Sequence, residues 1–369
     1  MFDIDALLDS ASIVVCCGAG GVGKTTTAAA LALRAAERGR KVCVLTIDPA
    51  RRLAQSMGLT ELDNAPRAVD GVDPERGGSL DAMMLDMKRT FDEIVLTHAD
   101  PQRAEQILAN PFYVSLSSSF AGTQEYMAME KLGQLRATSA WDLIVVDTPP
   151  SRSALDFLDA PQRLGRFLDG RMIRLLLAPA KAGGRGVMKI VTAGFSVFTN
   201  VLTRILGAQT LKDLSLFVTS LETMFGGFRE RAEKTYRLLK EPGTAFIVIA
   251  VPERDALREA AYFVERLGEE RMPLAGLVLN RVHVSTVEGL SVQRSLAAAE
   301  QLDESEESPL TAAALRVHAD RLSAAARDGR MAERFTAAHP RVPVVRVKAQ
   351  STDVHDLDGL RRIGAELAD

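Results

Sequence analysis

The chain contains six short runs of mainly apolar residues, most of which stop at or near a glycine, a proline or an acidic residue. Runs without a regular polar alternation are typical of strands that are buried on both faces of a parallel sheet. We therefore predict strands at residues 13–17, 41–46, 143–146, 245–251, 274–279 and 343–347.

Helix-forming sequences separate these predicted strands. Residues 24–38 are rich in alanine and leucine and contain no internal glycine or proline, and residues 253–267 show a helical pattern. A strand, a helix and a second strand follow one another within residues 13–46, which makes a βαβ unit. We predict an α/β fold, a doubly wound and mostly parallel sheet that is covered by helices on both faces.

Two long helical stretches interrupt the alternation, at residues 86–140 and 161–240. We assign residues 1–160 and 241–369 to one core domain that carries the first stretch. Residues 161–240 are assigned to an inserted helical subdomain. The acidic segment 300–307 is expected to be an exposed linker.

Composition and charge narrow the class of protein. The 369 residues are 47% hydrophobic and 25% charged, which is ordinary for a globular chain with a buried core. The net charge of −3 provides no global basic field for nucleic acid. Cys16, Cys17 and Cys43 form no C-x-x-C pair, so buried thiols are expected rather than zinc ligands or disulfides. The acidic N-terminus and the absence of a long apolar run predict a cytoplasmic protein without a transmembrane segment.

The segment after the first predicted strand carries the most specific motif. It fits G-x-x-x-x-G-K-[ST] with the residues Gly18, Ala19, Gly20, Gly21, Val22, Gly23, Lys24 and Thr25, and Thr26 follows. Glycines let backbone N–H groups turn onto phosphate oxygens, and the start of the next helix adds its positive dipole end. Lys24 is predicted to reach the β- and γ-phosphates of ATP, Thr25 to ligate Mg²⁺, and Thr26 to help hold the α-phosphate. Because the motif lies between a strand and a helix, a glycine-rich turn without a ligand is the weaker interpretation.

Two acidic residues follow predicted strands at what should be the same edge of the sheet. Asp48 comes after residues 41–46, and Asp147 comes after residues 143–146. Ligands of open α/β sheets bind outside the carboxyl ends of the strands, so both acids are expected to face the phosphates. Asp147 is placed like a Walker B acid that organises Mg²⁺, and Asp48 could orient or activate an attacking water. An isolated Asp-Pro pair more often forms only a turn or a helix cap.

In this order, the motifs resemble the arsenite-pump ATPase (ArsA) family. That family has a deviant Walker A sequence and includes the eukaryotic targeting factor for tail-anchored membrane proteins. The resemblance rests on Gly-Gly-Val-Gly-Lys-Thr-Thr at 20–26, Asp-Pro-Ala at 48–50 and Asp-Thr-Pro-Pro at 147–150. It extends to residues 249–253 and 277–281, and so covers most of the chain in order.

The resemblance implies an ATP-hydrolysing enzyme that works as a nucleotide-gated dimer with two ATP sites near the interface. It also implies that Asn280 reads the adenine, with Arg281 as a second candidate. The sequences around Gly18, Asp48 and residues 122–125 are most similar to the actinobacterial branch of the family.

The chain departs from the family at the signature lysine, because Ala19 occupies that position. In the family this lysine crosses the dimer interface to the partner's phosphates, so a symmetric homodimer would lack that cation at both sites. We hypothesise that a paralogue bearing the lysine completes the site in a heterodimer, with a homodimer as the alternative. Arg51, Arg52 or Arg152 could replace the missing cation, although solvated arginines are the simpler interpretation of Arg51 and Arg52.

Two further differences from the family concern the coupling of hydrolysis to the helical subdomain and the cysteines that bind metalloid or zinc. Ser151-Arg152-Ser153 stands where the family continues with Thr-Gly-His, so coupling between hydrolysis and the helical subdomain is less firmly implied than nucleotide binding. The family's metalloid-site cysteines and the zinc-binding C-x-x-C of its targeting branch are absent. Arsenite pumping and a zinc-clamped homodimer are therefore disfavoured.

The helical region contains a candidate surface for a partner. Residues 186–207 repeat apolar side chains at helical spacing, and the opposite face is poor in charge. A buried core explains this pattern somewhat better than a groove for a hydrophobic client, which stays the functional alternative. The cations of residues 163–185 could contact anionic headgroups at a membrane, and a solvated helix face explains them equally well.

The function that combines these features is an ATPase whose dimer cycle acts, through the helical subdomain, on a client protein or a membrane-associated partner. Lys24, Thr25, Asp48 and Asp147 favour it. Ala19 favours the alternative, a nucleotide-binding regulatory or scaffolding subunit with weak intrinsic activity. A small-molecule kinase or synthetase is disfavoured because no acceptor pocket is indicated. A ParA-like partitioning ATPase is disfavoured because it would also rely on the signature lysine.

Overall fold

The computed structural model describes residues 2–48, 52–111, 113–114, 117, 123–149, 230–285, 287, 289–304 and 308–369. Arg51, Arg152 and most of the predicted helical subdomain lie outside this described part. The chain divides into two compact units. The first comprises Met1–Met84, Thr138–Leu155 and Leu239–Asp369, and the second comprises Leu85–Ala137 and Asp156–Leu238.

The first unit is built on one eight-stranded sheet. Its strands are β1 Ile13–Gly18, β2 Lys41–Thr46, β3 Arg67–Ala68, β4 Ser79–Met84, β5 Leu143–Asp147, β6 Thr244–Ala250, β7 Leu274–Val282 and β8 Val344–Lys348. Their order is β3-β4-β2-β5-β1-β6-β7-β8, and every neighbouring pair is parallel except β3 with β4. The predicted fold class is confirmed, and β1 lies centrally where the chain switches from one half of the sheet to the other.

Each predicted strand coincides with an observed one to within a few residues. The largest difference is at the end of β7, which continues to Val282. The sequence analysis missed β3 and β4. In β4 the polar Asp81 interrupts the apolar run, and its Oδ2 accepts a hydrogen bond from the indole nitrogen of Trp141 at 2.7 Å. A strand that contains such a polar residue does not show the continuous apolar pattern from which buried strands are predicted.

The helices of the first unit pack on the sheet or on one another. They are α1 Ile4–Ser10, α2 Lys24–Glu37, α3 Arg52–Ser56, α8 Arg254–Glu269, α9 Val292–Glu304, α10 Pro309–Ala338 and α11 Leu357–Ala368. Most of α2 is buried, and its alanines let it pack closely on the sheet and against α11. The prediction of a linker at 300–307 is wrong for residues 300–304, which continue α9 because glutamate, glutamine and leucine are good helix formers.

The described part of the second unit is helical. It contains α4 Met87–His98, α5 Pro101–Leu108, α6 Thr123–Thr138 and α7 at residues 230–238. The last residue of α6, Thr138, belongs to the first unit. Buried charges are paired within it: Glu130 accepts a hydrogen bond from Arg231 at 2.7 Å, and Lys131 donates to Glu93 at 2.9 Å. The assignment of 161–240 to a separate subdomain stays a prediction. Among the described residues of both units, no helix is long and apolar enough to cross a membrane.

Candidate nucleotide site

The phosphate-binding loop runs from the end of β1 into α2, and its glycines adopt conformations that other residues rarely take. Gly21 and Gly23 have φ values of 75° and 92°, in the region that favours glycine. At Gly18 an added Cβ would lie 2.1 Å from the carbonyl oxygen of Ile249 on β6. Gly23 is the N-cap of α2 and has no side chain that could accept hydrogen bonds from the first N–H groups of the helix. These N–H groups can therefore bind an anion.

Lys24 folds back across this loop. Its side chain is almost buried, and Nζ donates a hydrogen bond to the carbonyl oxygen of Ala19 at 2.7 Å. Burial lowers the pKa of Lys24, and the negative charges of Asp147 and Asp48 oppose that shift. A phosphate oxygen is a charged and therefore stronger acceptor than a peptide carbonyl, so bound ATP would compete for this ammonium group.

Asp147 is fully buried at the end of β5, next to both β1 and β2. Its Oδ2 accepts hydrogen bonds from the hydroxyls of Thr25 at 2.8 Å and Thr46 at 2.9 Å. Its Oδ1 is buried and has no hydrogen-bond partner among the described residues. Burial raises the pKa of Asp147 to about 6, although the hydrogen bonds from the two threonines act in the opposite direction. A cation bound at this position would satisfy that carboxylate oxygen.

Asp48 follows β2 and is half-buried. Its backbone N–H donates to the hydroxyl of Thr46 at 3.2 Å. The Asp48 charge acts on both Lys24 and Asp147, which places the second acid in the same electrostatic environment. Sequence reasoning missed Thr46. The signal that could have found it is a hydroxyl residue at the last position of a strand, two residues before a candidate catalytic acid.

Asn280 brings a distant part of the chain to the loop. It lies in β7, almost buried, and its Nδ2 donates to the carbonyl oxygen of Val22 at 2.9 Å across a sequence separation of 258 residues. Its Oδ1 accepts from the backbone N–H of Arg281 at 2.9 Å, and Arg281 has a φ of 56°. An asparagine amide has two donors and two acceptor positions, so one of each is left for a base. The Arg281 side chain is exposed.

A family model described as anion-transporting ATPase matches residues 11–306. The chain belongs to the anion-transporting ATPase family. The matched stretch runs from the start of β1 to just beyond α9, and includes all the residues of the site described above.

Individual relatives agree with this assignment. The chain is 30% identical over 292 residues to Protein Rv2184c of Mycobacterium tuberculosis, covering 70% of this chain and 66% of that protein. It is 27% identical over 266 residues to the ATPase ASNA1 homolog of Cryptosporidium parvum, covering 72% and 63%. The ATPase GET3 of Podospora anserina is 25% identical over 287 residues, with 76% of each chain covered. The chain thus spans just under two thirds of the length of the first two relatives.

The residues of this family member fit the magnesium ion that accompanies ATP. The Thr25 hydroxyl donates its one hydrogen to Asp147, which leaves its lone pairs for a metal. Within the described residues, no group of three or more His, Cys, Asp or Glu side chains could hold a metal alone. Mg²⁺ commonly uses one or two protein oxygens together with substrate phosphates, so this donor set suits it. Thr25 and Asp147 would hold the ion, and its positive charge would offset the charge of the phosphates.

For the remaining predicted residues that the structure describes, it gives a location and a degree of exposure, and no hydrogen bond within the site is described. Thr26 is half-buried in the first turn of α2, and Gly20 is exposed in the loop. Arg52 is exposed at the start of α3. The predicted substitutes Arg51 and Arg152 lie outside the described part of the chain, as does Gly122. The three cysteines are buried, as the apolar runs around them predicted.

Proposed function

We propose that this member of the anion-transporting ATPase family binds ATP with Mg²⁺ and hydrolyses it. The observation that carries the proposal is the convergence of Lys24, Thr25 and Asp147 at the carboxyl ends of the central parallel strands, where the buried Oδ1 of Asp147 has no hydrogen-bond partner in the part of the chain that the structure describes. The family description and the relatives named as ATPases support the same activity.

Each residue has a distinct role in this proposal. The loop from Gly18 to Gly23 cradles the phosphates with backbone N–H groups, and Lys24 leaves the Ala19 carbonyl to bind β- and γ-phosphate oxygens. Thr25 and Asp147 hold the metal side of the site, Asp147 through water. Asp48 orients the attacking water and accepts its proton as the water oxygen bonds to the γ-phosphorus. The bond from the γ-phosphorus to the β–γ bridging oxygen breaks at the same time, and ADP leaves. Asn280 uses its remaining donor and acceptor to recognise the adenine, with Arg281 beside it.

The assembly we propose is a dimer whose two nucleotide sites are near the interface. Ala19 has no cation to offer a partner, so each site needs a positive charge from elsewhere to stabilise the transition state. We propose that a paralogue with lysine at this position supplies it, in the manner of a finger residue that is inserted in trans. A homodimer would have to draw on Arg51, Arg52 or Arg152.

A second function is favoured by one observation, the same Ala19. A chain that retains the phosphate loop and lacks the trans cation would bind nucleotide tightly and hydrolyse it slowly. It would then act as a regulatory or scaffolding subunit whose nucleotide state controls its partner.

We propose that residues 161–240 bind the client protein or the membrane-associated partner on which the ATPase cycle acts. The helical spacing of apolar residues at 186–207 supports a hydrophobic client, and the cations at 163–185 support contact with an anionic membrane surface. The 30% identity to the Mycobacterium tuberculosis protein supports a place in the actinobacterial branch.

The deciding experiment is steady-state ATP turnover of the purified chain, alone and mixed with a lysine-bearing paralogue from the same organism. Asp48→Asn is the control for contaminating ATPase. Stimulation that saturates at a one-to-one ratio supports the heterodimeric enzyme, whereas full turnover by the chain alone removes the need for a trans lysine.

Nucleotide binding without turnover under every condition would contradict the proposed activity. That result would favour the regulatory subunit instead. A fluorescent ATP analogue, titrated with and without Mg²⁺, separates this outcome from a failure to bind nucleotide at all.

A further inference from the structure

Thr46 is the last residue of β2, and its buried hydroxyl connects two acids that come from different strands. The hydroxyl donates to Oδ2 of Asp147 at 2.9 Å and accepts from the backbone N–H of Asp48 at 3.2 Å. The backbone carbonyl of Asp147 also accepts a hydrogen bond from the N–H of Ile47 at 2.9 Å. Asp147 therefore holds the strand end that leads into Asp48 at two points, one of which is the Thr46 hydroxyl.

The direction of the hydrogen bond follows from chemistry and distance. A hydroxyl has a single hydrogen, and the alternative acceptor, the carbonyl oxygen of Asp48, is 3.4 Å away. The carboxylate oxygen is closer and is the stronger acceptor when ionised, so it accepts the hydrogen bond from the hydroxyl. The lone pairs of the hydroxyl then face the Asp48 N–H.

The shared acceptor gives Thr46 a second connection. Thr25, the candidate metal ligand, donates to the same Oδ2 of Asp147. Two hydroxyl donors on one oxygen fix the orientation of the carboxylate, and Oδ1 is left without a hydrogen-bond partner from any residue that the structure describes. Because Thr25 and Thr46 share this oxygen, a change in the hydrogen bond from Thr25 would also alter the hydrogen bond from Thr46.

We propose that Thr46 is a positioning residue that couples the metal side of the site, Thr25 and Asp147, to the backbone of the water-orienting acid Asp48. The inference rests on the proposed function. In this proposal Thr46 acts through its hydrogen bonds to Asp147 and Asp48. It transmits the occupancy of the metal side to the segment that carries Asp48, so that the acid is held in place when Mg·ATP is bound.

The test compares Thr46→Val, which removes the hydroxyl at nearly constant volume, with Thr46→Ser, which retains it. Thr244→Val is the matched control, because Thr244 is a buried threonine of the same sheet at the start of β6, the opposite edge from the phosphate loop. Thermal melting of all three variants establishes that they fold.

The first readout is turnover at saturating Mg·ATP. We expect Thr46→Val to lower kcat by about tenfold to a hundredfold, the effect of losing one charge-assisted hydrogen bond, with KM nearly unchanged. Thr46→Ser and Thr244→Val should both stay within about threefold of the wild-type kcat. The first keeps a hydroxyl at position 46, and the second leaves Thr46 unchanged.

The second readout is amide hydrogen exchange on binding Mg·ATP, and it does not depend on hydrolysis. In the wild-type chain, binding should protect both the phosphate loop, residues 18–26, and the strand end, residues 44–48. In Thr46→Val the loop should still be protected and the strand end should lose most of its additional protection. Thr46→Ser should restore it.

The outcomes separate the two claims. If Thr46→Val folds, hydrolyses ATP at the wild-type rate and keeps full protection of 44–48, the inference is overturned while the proposed function stands. If the wild-type chain binds Mg·ATP without hydrolysing it, the proposed activity fails and the exchange experiment still decides the coupling. Absence of loop protection in the wild type would overturn both.

Discussion

The contact between Asn280 and the phosphate loop can be tested through two glycines that share a backbone conformation. Gly23 has a φ of 92°, and a Cβ added there would lie 2.3 Å from Nδ2 of Asn280. Gly21 has a φ of 75°, and apart from its two chain neighbours no described residue has an atom within 4 Å of the same added group. Gly21→Ala therefore introduces backbone strain alone, and Gly23→Ala introduces strain together with a collision.

The expected magnitudes follow from these geometries. A residue with a Cβ in the left-handed region costs about 1–2 kcal/mol, which should be the whole destabilisation in Gly21→Ala. In Gly23→Ala the Asn280 amide must also leave the Val22 carbonyl, and stranding a buried polar group costs about 1–3 kcal/mol more. The two variants should then differ by about 1–3 kcal/mol in the free energy of unfolding. Adding Asn280→Ala should cost less in Gly23→Ala than in the wild type, because the hydrogen bond from Asn280 to Val22 is already broken there and the truncation removes the colliding amide.

The assay is urea unfolding of the nucleotide-free protein, followed by tryptophan fluorescence. Trp141 is the only tryptophan and lies in the sheet-bearing unit, where it is half-buried and bonded to Asp81. Its fluorescence therefore reports on the unit that contains both glycines. Equal destabilisation by the two alanine variants, or additive effects with Asn280→Ala, would refute the packing of Asn280 against Gly23.

Three further predictions concern the charged residues of the site. Lys24→Ala should weaken Mg·ATP binding by about tenfold or more, because a charged partner of the phosphates is lost, and wild-type affinity in a fluorescent-nucleotide titration would contradict the role of Lys24. Asp48→Asn should bind ATP nearly as wild type and turn it over about a hundredfold to ten-thousandfold more slowly, and unchanged turnover would remove Asp48 from the mechanism. Asp147→Asn should change the pH dependence of stability, because burial raises the pKa of Asp147 in the wild type from its usual 3.8 to about 6. The wild type should therefore lose stability as the pH rises from about 4 to above 6. The full loss is about 3 kcal/mol, at about 1.36 kcal/mol per pKa unit. Urea unfolding of the metal-free proteins should show that loss in the wild type and not in the variant, and parallel pH profiles would show that Asp147 is ionised in the fold without cost.

The sequence by itself determined the features that depend on residues close together along the chain. Apolar runs of the length of β1, β2 and β5 have few alternatives to a buried parallel strand, because the run must be covered on both sides. The glycines and Lys24 of the phosphate loop belong to a motif whose backbone geometry is local, and the observed φ values of Gly21 and Gly23 follow from it. The edge of the sheet at which Asp48 and Asp147 meet also follows, since parallel strands end on the same side.

Only the tertiary structure decided which side chains complete the site. Thr46 joins the two acids because β2 and β5 are neighbours in register, with Thr46 paired to Asp147. Asn280 reaches Val22 because the crossover that returns through β7 brings residues together that are 258 positions apart. The polar strand β4 is accommodated because Trp141 pairs with Asp81. In each case the decisive interaction is a hydrogen bond between segments distant in sequence, and its energy depends on burial and geometry that no local pattern of hydrophobic and polar residues encodes.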